Sequence, residues 1–564
     1  MSELKRSVLA RLASVVLGSG AALVGFLHPG ANAVATTLQA VASETFTPAK
    51  WGVKGDGVTD DTAALNAFYA AARLFGVTAV DLAGKVYKCT GAIDAHGVST
   101  VGNGANLVFT VDGSTSAYAF KWGGANCYVT GCTFDLSNSN AAVATQGILN
   151  STNDVDGQSF YGNRIVAHTT KTGGTAANIY GIWCQGTGVT NLRIYGNAIA
   201  GTSYGVQVNM QASSWTGGQN VTNAAIGNPA RGLAIFGNTL TDASIGINTP
   251  GVYCSDVTIS HNTLRVITLS IEMPINVAHA SNVTISGNTL TGNVASGNGV
   301  LHVEDATQAI TITGNVINCA AINGGIMFIG APGVSGDVSP TKRVVISANH
   351  ISGAGTTGAV NGITMNDAQS INATISGNYI QNFANGIVPV PGATLASNTI
   401  ENCANGISEF RNGAVSNNTI IGCTTAFYNL SATAVVRGGV VKDSGFTPNK
   451  GAATANLMYA GVEYRQSSVT ITSSTAFDLM PLPSINFNAT VTIMIDGQAL
   501  YRYSISWDGT TFTPTLLAKS TPALMGAPTL TRNGSTGALA LSAFVGGSGT
   551  LTGPVSVVVD GLVY

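Results

Sequence analysis

A short phrase recurs ten times in this chain: a small residue or glycine, then Asn, then a variable residue, then an aliphatic. It reads Tyr161-Gly162-Asn163-Arg164-Ile165, Tyr195-Gly196-Asn197-Ala198-Ile199 and Phe236-Gly237-Asn238-Thr239-Leu240. It continues around Asn262, Asn288, Asn315, Asn349, Asn378, Asn398 and Asn418. The last three are 20 residues apart, and Asn238, Asn262, Asn288 and Asn315 are 24, 26 and 27 apart. Longer steps of 34, 41 and 34 lead to Asn197, Asn238 and Asn349. A variable period around a fixed Asn means stacked coils of strand rather than pairs of helices.

Each phrase follows an alternating run such as Val283-Thr284-Ile285-Ser286. Alternation sends Val283 and Ile285 to one face and Thr284 and Ser286 to the other. The chain therefore reads as all-β, with a right-handed parallel β-helix as its body. Inward aliphatics form ladders from coil to coil, about 4.8 Å apart. Gly and Asn are expected in the left-handed conformation at a corner, with each Asn amide pairing with that of the next coil. Cys403 and Cys423 each lie five residues after their Asn and are expected to stack inside. A glycine-rich antiparallel protein has no reason to repeat one phrase in one frame.

Composition agrees. Among 564 residues 70 are Gly and only 9% are charged, against about 25% charged in ordinary soluble proteins. A net charge of -2 gives no basic face for nucleic acid. The normal apolar content argues against disorder. The eight cysteines include no CxxC pair, so neither a zinc nor a redox site is expected, and no cofactor or metal is assigned. Asp154-Val155-Asp156-Gly157 reads as a turn rather than a calcium loop.

Five segments are expected. Residues 1–45 hold an apolar stretch over 8–26 behind Lys5 and Arg6, interrupted by Arg11 and Gly18-Ser19-Gly20. It has the grammar of a secretory signal, or it is a docking element; the interruptions argue against a membrane span. Residues 46–100 contain a short N-terminal capping helix, started by Asp60 or Asp61 and Thr62, with Leu65, Phe68, Tyr69 and Ala72 on one face and Gly76 at its end. Residues 101–445 form the coils and 446–466 a linker. Residues 467–564 carry different strands, such as Val491-Thr492-Ile493-Met494-Ile495, and the hairpin signal Trp507-Asp508-Gly509-Thr510, and are expected as a C-terminal antiparallel β-sandwich.

Acids are scarce, so their positions carry information. Ser270-Ile271-Glu272-Met273 and Leu301-His302-Val303-Glu304-Asp305 direct Glu272, His302 and Glu304 outward, and Asp367 follows its strand as Asp305 follows its own. Glycosidic hydrolysis uses two carboxyls, about 5 Å apart for retention and about 6.5–9.5 Å apart for inversion. Glu272 with Glu304 suits the first on adjacent coils, and Glu304 or Asp305 with Asp367 suits the second. Glu272, Glu304, Asp305 and Asp367 are thus the candidate catalytic acids. His302 is placed to tune one of them or to act as the base of a lyase. Trp183, Tyr204 and Trp215, near Tyr180, are candidate sugar-stacking rings. Glu409 and Arg411 lie on a later coil as further substrate-binding candidates.

The stretch Phe46-Thr47-Pro48-Ala49-Lys50-Trp51-Gly52-Val53, and above all Gly55-Asp56-Gly57-Val58-Thr59-Asp60-Asp61-Thr62, resembles the start of the β-helix in pectate-lyase-like proteins. Before it, Gly20-Ala21-Ala22-Leu23-Val24-Gly25-Phe26-Leu27 and Val34-Ala35-Thr36-Thr37-Leu38-Gln39 are similar to the segment preceding that start in bacteriophage tailspikes. The resemblance implies a homotrimeric spike on the virion that binds, and usually cleaves, a bacterial surface polysaccharide. It implies that the N-terminus joins a phage tail or baseplate protein. It also implies a C-terminal domain for trimerisation or carbohydrate binding. It hands over no catalytic residues, since the repeats contain no Asn-Thr-Asp or Gly-His-Gly motif. Three readings follow: a polysaccharide depolymerase spike, a non-enzymatic receptor-binding spike, or a secreted bacterial lyase or hydrolase. No nucleic-acid or membrane partner is expected.

Overall fold

The computed structural model describes the chain from residue 46 onward, apart from residues 112–117, 140–144, 168–178, 187, 209–229, 242–244, 250–253, 267–272, 279, 293–298, 305–306, 320–323, 330–341, 358–359, 366–370, 411–412, 429–434, 445–457, 472–476, 482–486, 496–498, 509, 521–527, 534–537, 545–550 and 564. The expected attachment segment 1–45 lies outside the described residues. Among the described residues no helix is long and apolar enough to cross a membrane.

The body is a right-handed parallel β-helix with three strands per coil. One coil runs through Arg193–Tyr195, Ala198–Ala200 and Tyr204–Val208, and the next through Ala234–Phe236, Thr239–Thr241 and Ile245–Thr249. These strands define a first, second and third face. Pairing between coils is parallel and in register: Ile194 with Ile235, Ile199 with Leu240, Val206 with Ile247. On the first face Ile194, Ile235, Ile259, Ile285, Ile312, Ile346 and Ile375 form one fully buried column, as alternation demands. The third face is a sheet of thirteen strands, from Ile93–Asp94 to Thr425–Tyr428.

The ten phrase asparagines form one buried ladder at the corner between the first and second faces. Each ladder amide is used several times. Asn315 Nδ2 donates to Asn349 Oδ1 at 2.9 Å and to the Ile285 carbonyl at 3.0 Å. Its Oδ1 accepts from the Asn288 backbone N–H at 3.0 Å and from Asn288 Nδ2 at 2.9 Å. The same pattern runs from Asn163 to Asn418. One expectation is corrected. The ladder asparagines themselves keep negative φ, and the left-handed residue is the one before each of them. It is Gly at 196 (φ 62°) and 314 (φ 64°), but His261, Ala348, Ser397 and Asn417 hold the same conformation. The Asn must keep a normal backbone because its own N–H has to reach the next amide.

The third face meets the second through a close approach that the Asn phrase does not report. The residue before the inward aliphatic is glycine at 181, 205, 246, 325, 362, 386 and 406. A Cβ on Gly205 would lie 2.1 Å from Leu240 Cδ2 and 2.7 Å from the Gly246 carbonyl oxygen. Cysteines follow the expected pattern: all eight are free and buried. Cys403 and Cys423 sit on successive coils, and a hydrogen bond between them pushes the Cys403 thiol up and the Cys423 thiol down.

Helix α1, Thr62–Phe75, closes the apolar end of the coil, with Leu65, Phe68, Tyr69 and Ala72 buried and Gly76 left-handed at its terminus. The acids before it divide the work. Asp61 occupies the cap position but turns its buried carboxylate to the N–H groups of Lys54 (2.7 Å) and Gly55 (2.9 Å). Asp60 takes the Thr62 N–H and hydroxyl and also binds Thr90. Partial burial opposes its charge, yet these hydrogen bonds hold its carboxyl at about 2. Asp56 braces the Val58 and Thr59 amides. The Gly55-to-Thr62 motif is therefore a structural clasp between the first coil and its cap.

At the other end the coil runs on beyond the expected boundary. Met458–Ala460 pairs in parallel with Val435–Arg437, and Val462–Ile471 begins by pairing in parallel with Val440–Lys442. Strands thus occupy part of the 446–466 interval read as linker. Val462–Ile471 also pairs antiparallel with Leu551–Val563, which continues through Phe487–Ile495 and Ala499–Trp507 to Phe512–Ser520. A second antiparallel sheet joins Phe477–Pro481, Ala538–Phe544 and Pro528–Arg532. The Arg532 guanidinium lies 4.2 Å from the centre of the Trp507 ring, tying the two sheets together. The expected hairpin at Trp507 is present, with Asp508 Oδ1 accepting from Thr510 and Thr511 N–H.

Removing the mid-ladder amide of Asn315 takes away the acceptor of the Asn288 backbone N–H and a donor to the Ile285 carbonyl, both inside the coil. Asn315→Ala is expected to cost at least about 2 kcal/mol, because each buried polar group left unpaired costs about 1–3. Asn418→Ala, at the ladder end, should cost less. Thr289→Ala, on an exposed position, should stay within about 0.5 kcal/mol. Chemical unfolding followed by circular dichroism checks all three.

Candidate polysaccharide-facing site

Register on the third face assembles an outward row that runs along the helix axis. From coil to coil it passes through Lys121, Leu149, Trp183, Gln207, Asn248, Asn276, His302, Met327 and Thr364. Alternation against the buried column Ile182, Val206, Ile247, Ile275, Leu301 and Ile326 sets its outward direction. The middle of the row is polar and hydrogen-bonded: Asn248 Nδ2 donates to Gln207 Oε1 at 2.7 Å, and Asn276 Nδ2 to Asn248 Oδ1 at 3.1 Å. Outward polar residues on a solenoid are ordinarily solvated. Here Gln207 and Asn248 are only 6% exposed and His302 1%. The middle of the row is therefore covered rather than solvated.

An aromatic group stands at the N-terminal end of this row. Tyr180 and Tyr204 stack on adjacent coils at 4.8 Å, and Trp183 tilts against Tyr180 at 4.2 Å. All three are half-buried, and burial raises both phenols above their usual value. The Trp183 Nε1–H is enclosed and has no acceptor among the described residues. A second aromatic column, Tyr161, Tyr195 and Phe236, lies on the first face with spacings of 4.8 and 4.7 Å and planes within 2°. Its rings cover one another's faces and leave mainly edges outward, which suits bracing of the coils better than stacking on sugar. Its signal in the sequence is Tyr or Phe immediately before the Gly of three successive phrases.

The nominated residues separate as follows. Trp183, Tyr204 and His302 share the third face, with Trp183 and His302 in one row. Four coil steps lie between them, about 19 Å. Glu272, Asp305, Asp367, Trp215 and Arg411 lie outside the described residues. Of Glu304 the backbone is described, paired with Ala278 and Ile329 at the end of its strand. Val303, Phe328 and Met365 share one register column; in the sequence Asp305 comes two residues after Val303 and Asp367 two after Met365. Glu409 is exposed in a left-handed turn after Asn405–Ser408, four coils from His302, so it is not brought to that histidine. Asp156 forms an isolated parallel bridge with Thr190 on the next coil, and its Oδ1 accepts from Thr190 Oγ1 at 2.6 Å and Asn191 Nδ2 at 2.7 Å.

No family profile and no curated protein matches the chain. Among solved structures it is similar to the A-module of mannuronan C-5 epimerase AlgE6 of Azotobacter vinelandii, at 14% identity and a TM-score of 0.38, covering 74% of this chain and 98% of that one. It is similar to the Dettilon tailspike protein at 13% identity and 0.38, covering 92% and 94%. It is also similar to the tailspike of E. coli bacteriophage HK620 in complex with pentasaccharide, at 11% identity and 0.41, covering 89% and 90%. Values this low transfer neither residues nor reaction.

Asn248 links the row in both directions. Asn248→Ala is expected to remove the hydrogen bonds to Gln207 Oε1 and from Asn276 Nδ2 and to lower stability by about 1–3 kcal/mol. Tyr204→Phe, which keeps the stack, should change stability by less than about 1 kcal/mol. Thermal unfolding of the two variants beside wild type gives the comparison.

Proposed function

We propose that this chain is a tailspike-type protein that binds a bacterial surface polysaccharide along the third face and depolymerises it. The observation that carries the reading is the third-face row. Its aromatic group and an indole N–H without an acceptor among the described residues stand at one end, with a run of amides leading to His302. A polysaccharide is a linear repeating ligand, and this row is likewise linear and repeating. Half-buried rings take the apolar C–H faces of sugars, and a sugar hydroxyl satisfies the indole donor. The start motif Gly55-Asp56-Gly57-Val58-Thr59-Asp60-Asp61-Thr62 supports the same reading by resemblance.

Within this proposal the carboxyl pair is Asp305 and Asp367. Next-but-one coils stand about 9.6 Å apart, near the upper bound of the spacing that admits a water between two carboxyls and inverts the anomeric centre. Glu304, adjacent to Asp305, is the alternative acid. His302, on the same strand, is the base if the reaction is an elimination. The reading also includes a homotrimer, with residues 1–45 joining it to a phage tail or baseplate protein on the virion.

Incubation with purified capsules, exopolysaccharides and O-antigens tests the reading. New reducing ends mark hydrolysis, ultraviolet absorbance of an unsaturated uronate marks elimination, and retention without either marks a receptor-binding spike. Asp305→Asn and Asp367→Asn are each expected to lower turnover about 10²–10⁴-fold while retaining polymer binding. Full turnover in both variants and in Glu304→Gln would place the chemistry elsewhere.

A further inference from the structure

On the second face, far from the nominated acids in sequence, three successive coils carry a connected set of polar and aromatic side chains. His350–Ser352, Tyr379–Gln381 and Thr399–Glu401 pair in register. The Tyr379 hydroxyl is shared between Glu401 Oε2, at very short range, and Gln381 Oε1 at 3.0 Å. Gln381 Nε2 continues to Ser352 Oγ at 3.2 Å. The His350 and Tyr379 rings lie 4.9 Å apart, tilted at 53°. His350 is exposed, and Tyr379, Gln381 and Glu401 are half-exposed.

These side chains do not serve the packing of the coil, which rests on the inward Ile351, Ile380 and Ile400. They hold one another instead. A phenol has one proton, so Tyr379 can satisfy only one of its two acceptors at a time. The hydrogen bond to Glu401, with burial second, pushes the phenol up to about 12, so it remains a neutral donor at neutral pH. Glu401 Oε1 receives no hydrogen bond among the described residues, and no cation among them pairs with that carboxylate. In its register column the nearest cation is Lys442, two coils on, about 10 Å away.

We infer that His350, Tyr379, Gln381 and Glu401 form a second saccharide subsite, separate from the third-face row and selective for neutral pyranose units. The inference rests on the polysaccharide reading and adds a site and a ligand class to it. A carboxylate oxygen and an amide oxygen on adjacent coils offer fixed acceptors to neighbouring hydroxyls, while the amide N–H and imidazole offer donors. The tilted rings supply an apolar contact for C–H groups. An uncompensated carboxylate disfavours uronates and other acidic sugars by like-charge repulsion.

Saturation-transfer NMR on the full chain tests this with the methyl glycosides of glucose, galactose, mannose and rhamnose, and with methyl glucuronoside. Transfer to at least one neutral glycoside is expected, and none to the glucuronoside. Glu401→Ala and Tyr379→Ala should weaken the neutral ligand about tenfold or more by titration, the range for a lost hydrogen bond to a charged group. Glu401→Gln keeps the shape and guards against a folding artefact; it should weaken binding less than Glu401→Ala. A wild-type protein that retains polysaccharide but transfers to no neutral glycoside overturns the subsite alone. Failure to bind either polymer or glycoside overturns the parent reading as well. Transfer that persists in Glu401→Ala also overturns the subsite. If Glu401→Ala changes the mass by light scattering while transfer is unchanged, the cluster is a contact between copies, and the subsite is again overturned.

Discussion

The asparagine ladder is the interaction on which the coil depends. Every turn of a parallel solenoid must bend its backbone at the same place, and each bend exposes amide and carbonyl groups to the interior. A buried unpaired peptide group costs about 1–3 kcal/mol, so ten stacked bends without partners would be prohibitive. The ladder answers both needs at once. Each amide donates to a backbone carbonyl of the coil behind it and to the amide oxygen of the coil ahead, and its own oxygen accepts from the coil behind. With the corner fixed, the length of the remaining segment is free to vary. That freedom lets coil length range from 20 to 41 residues while Ile and Leu columns stay in register.

Function follows from that division of labour. The first and second faces join at the fixed corner and use short strands of three residues on many coils. The third face has longer strands, and the extra length of the larger coils falls in the segments adjoining it, as after Val208 and Ile329. In the middle of the third-face row outward side chains are buried despite their direction. On the second face outward residues remain accessible. A polar cluster such as that around Tyr379 is therefore open to solution.

Much of this was legible in the residues. The ladder could be read because a buried amide that both donates and accepts leaves little alternative to Asn. The cap could be read from the spacing of Leu65, Phe68, Tyr69 and Ala72. The left-handed residue was misassigned because Gly and Asn both tolerate that conformation, and only the hydrogen bond from the Asn N–H decides between them. The third-face row was not legible as a row. It uses Trp, Gln, Asn, Asn and His in turn, so no fixed letter marks the register, and irregular coil lengths of 24 to 41 residues conceal it. The glycines preceding the inward aliphatics do recur, but in a glycine-rich chain they do not stand out. The Tyr379 cluster occupies the variable position of the phrase and the position two residues later, the places that pattern reading treats as free.

The central claim is that the third face holds the polymer. Hydrogen–deuterium exchange of the full chain, with and without a surface polysaccharide that it retains, tests this most directly. The account predicts slower exchange in the third-face strands Tyr204–Val208, Ile245–Thr249, Met273–Ala278 and Gly299–Glu304. Little change is predicted in their first-face counterparts such as Ala234–Phe236. Bound polymer that protects the first face, or leaves all four third-face strands unchanged, would contradict it.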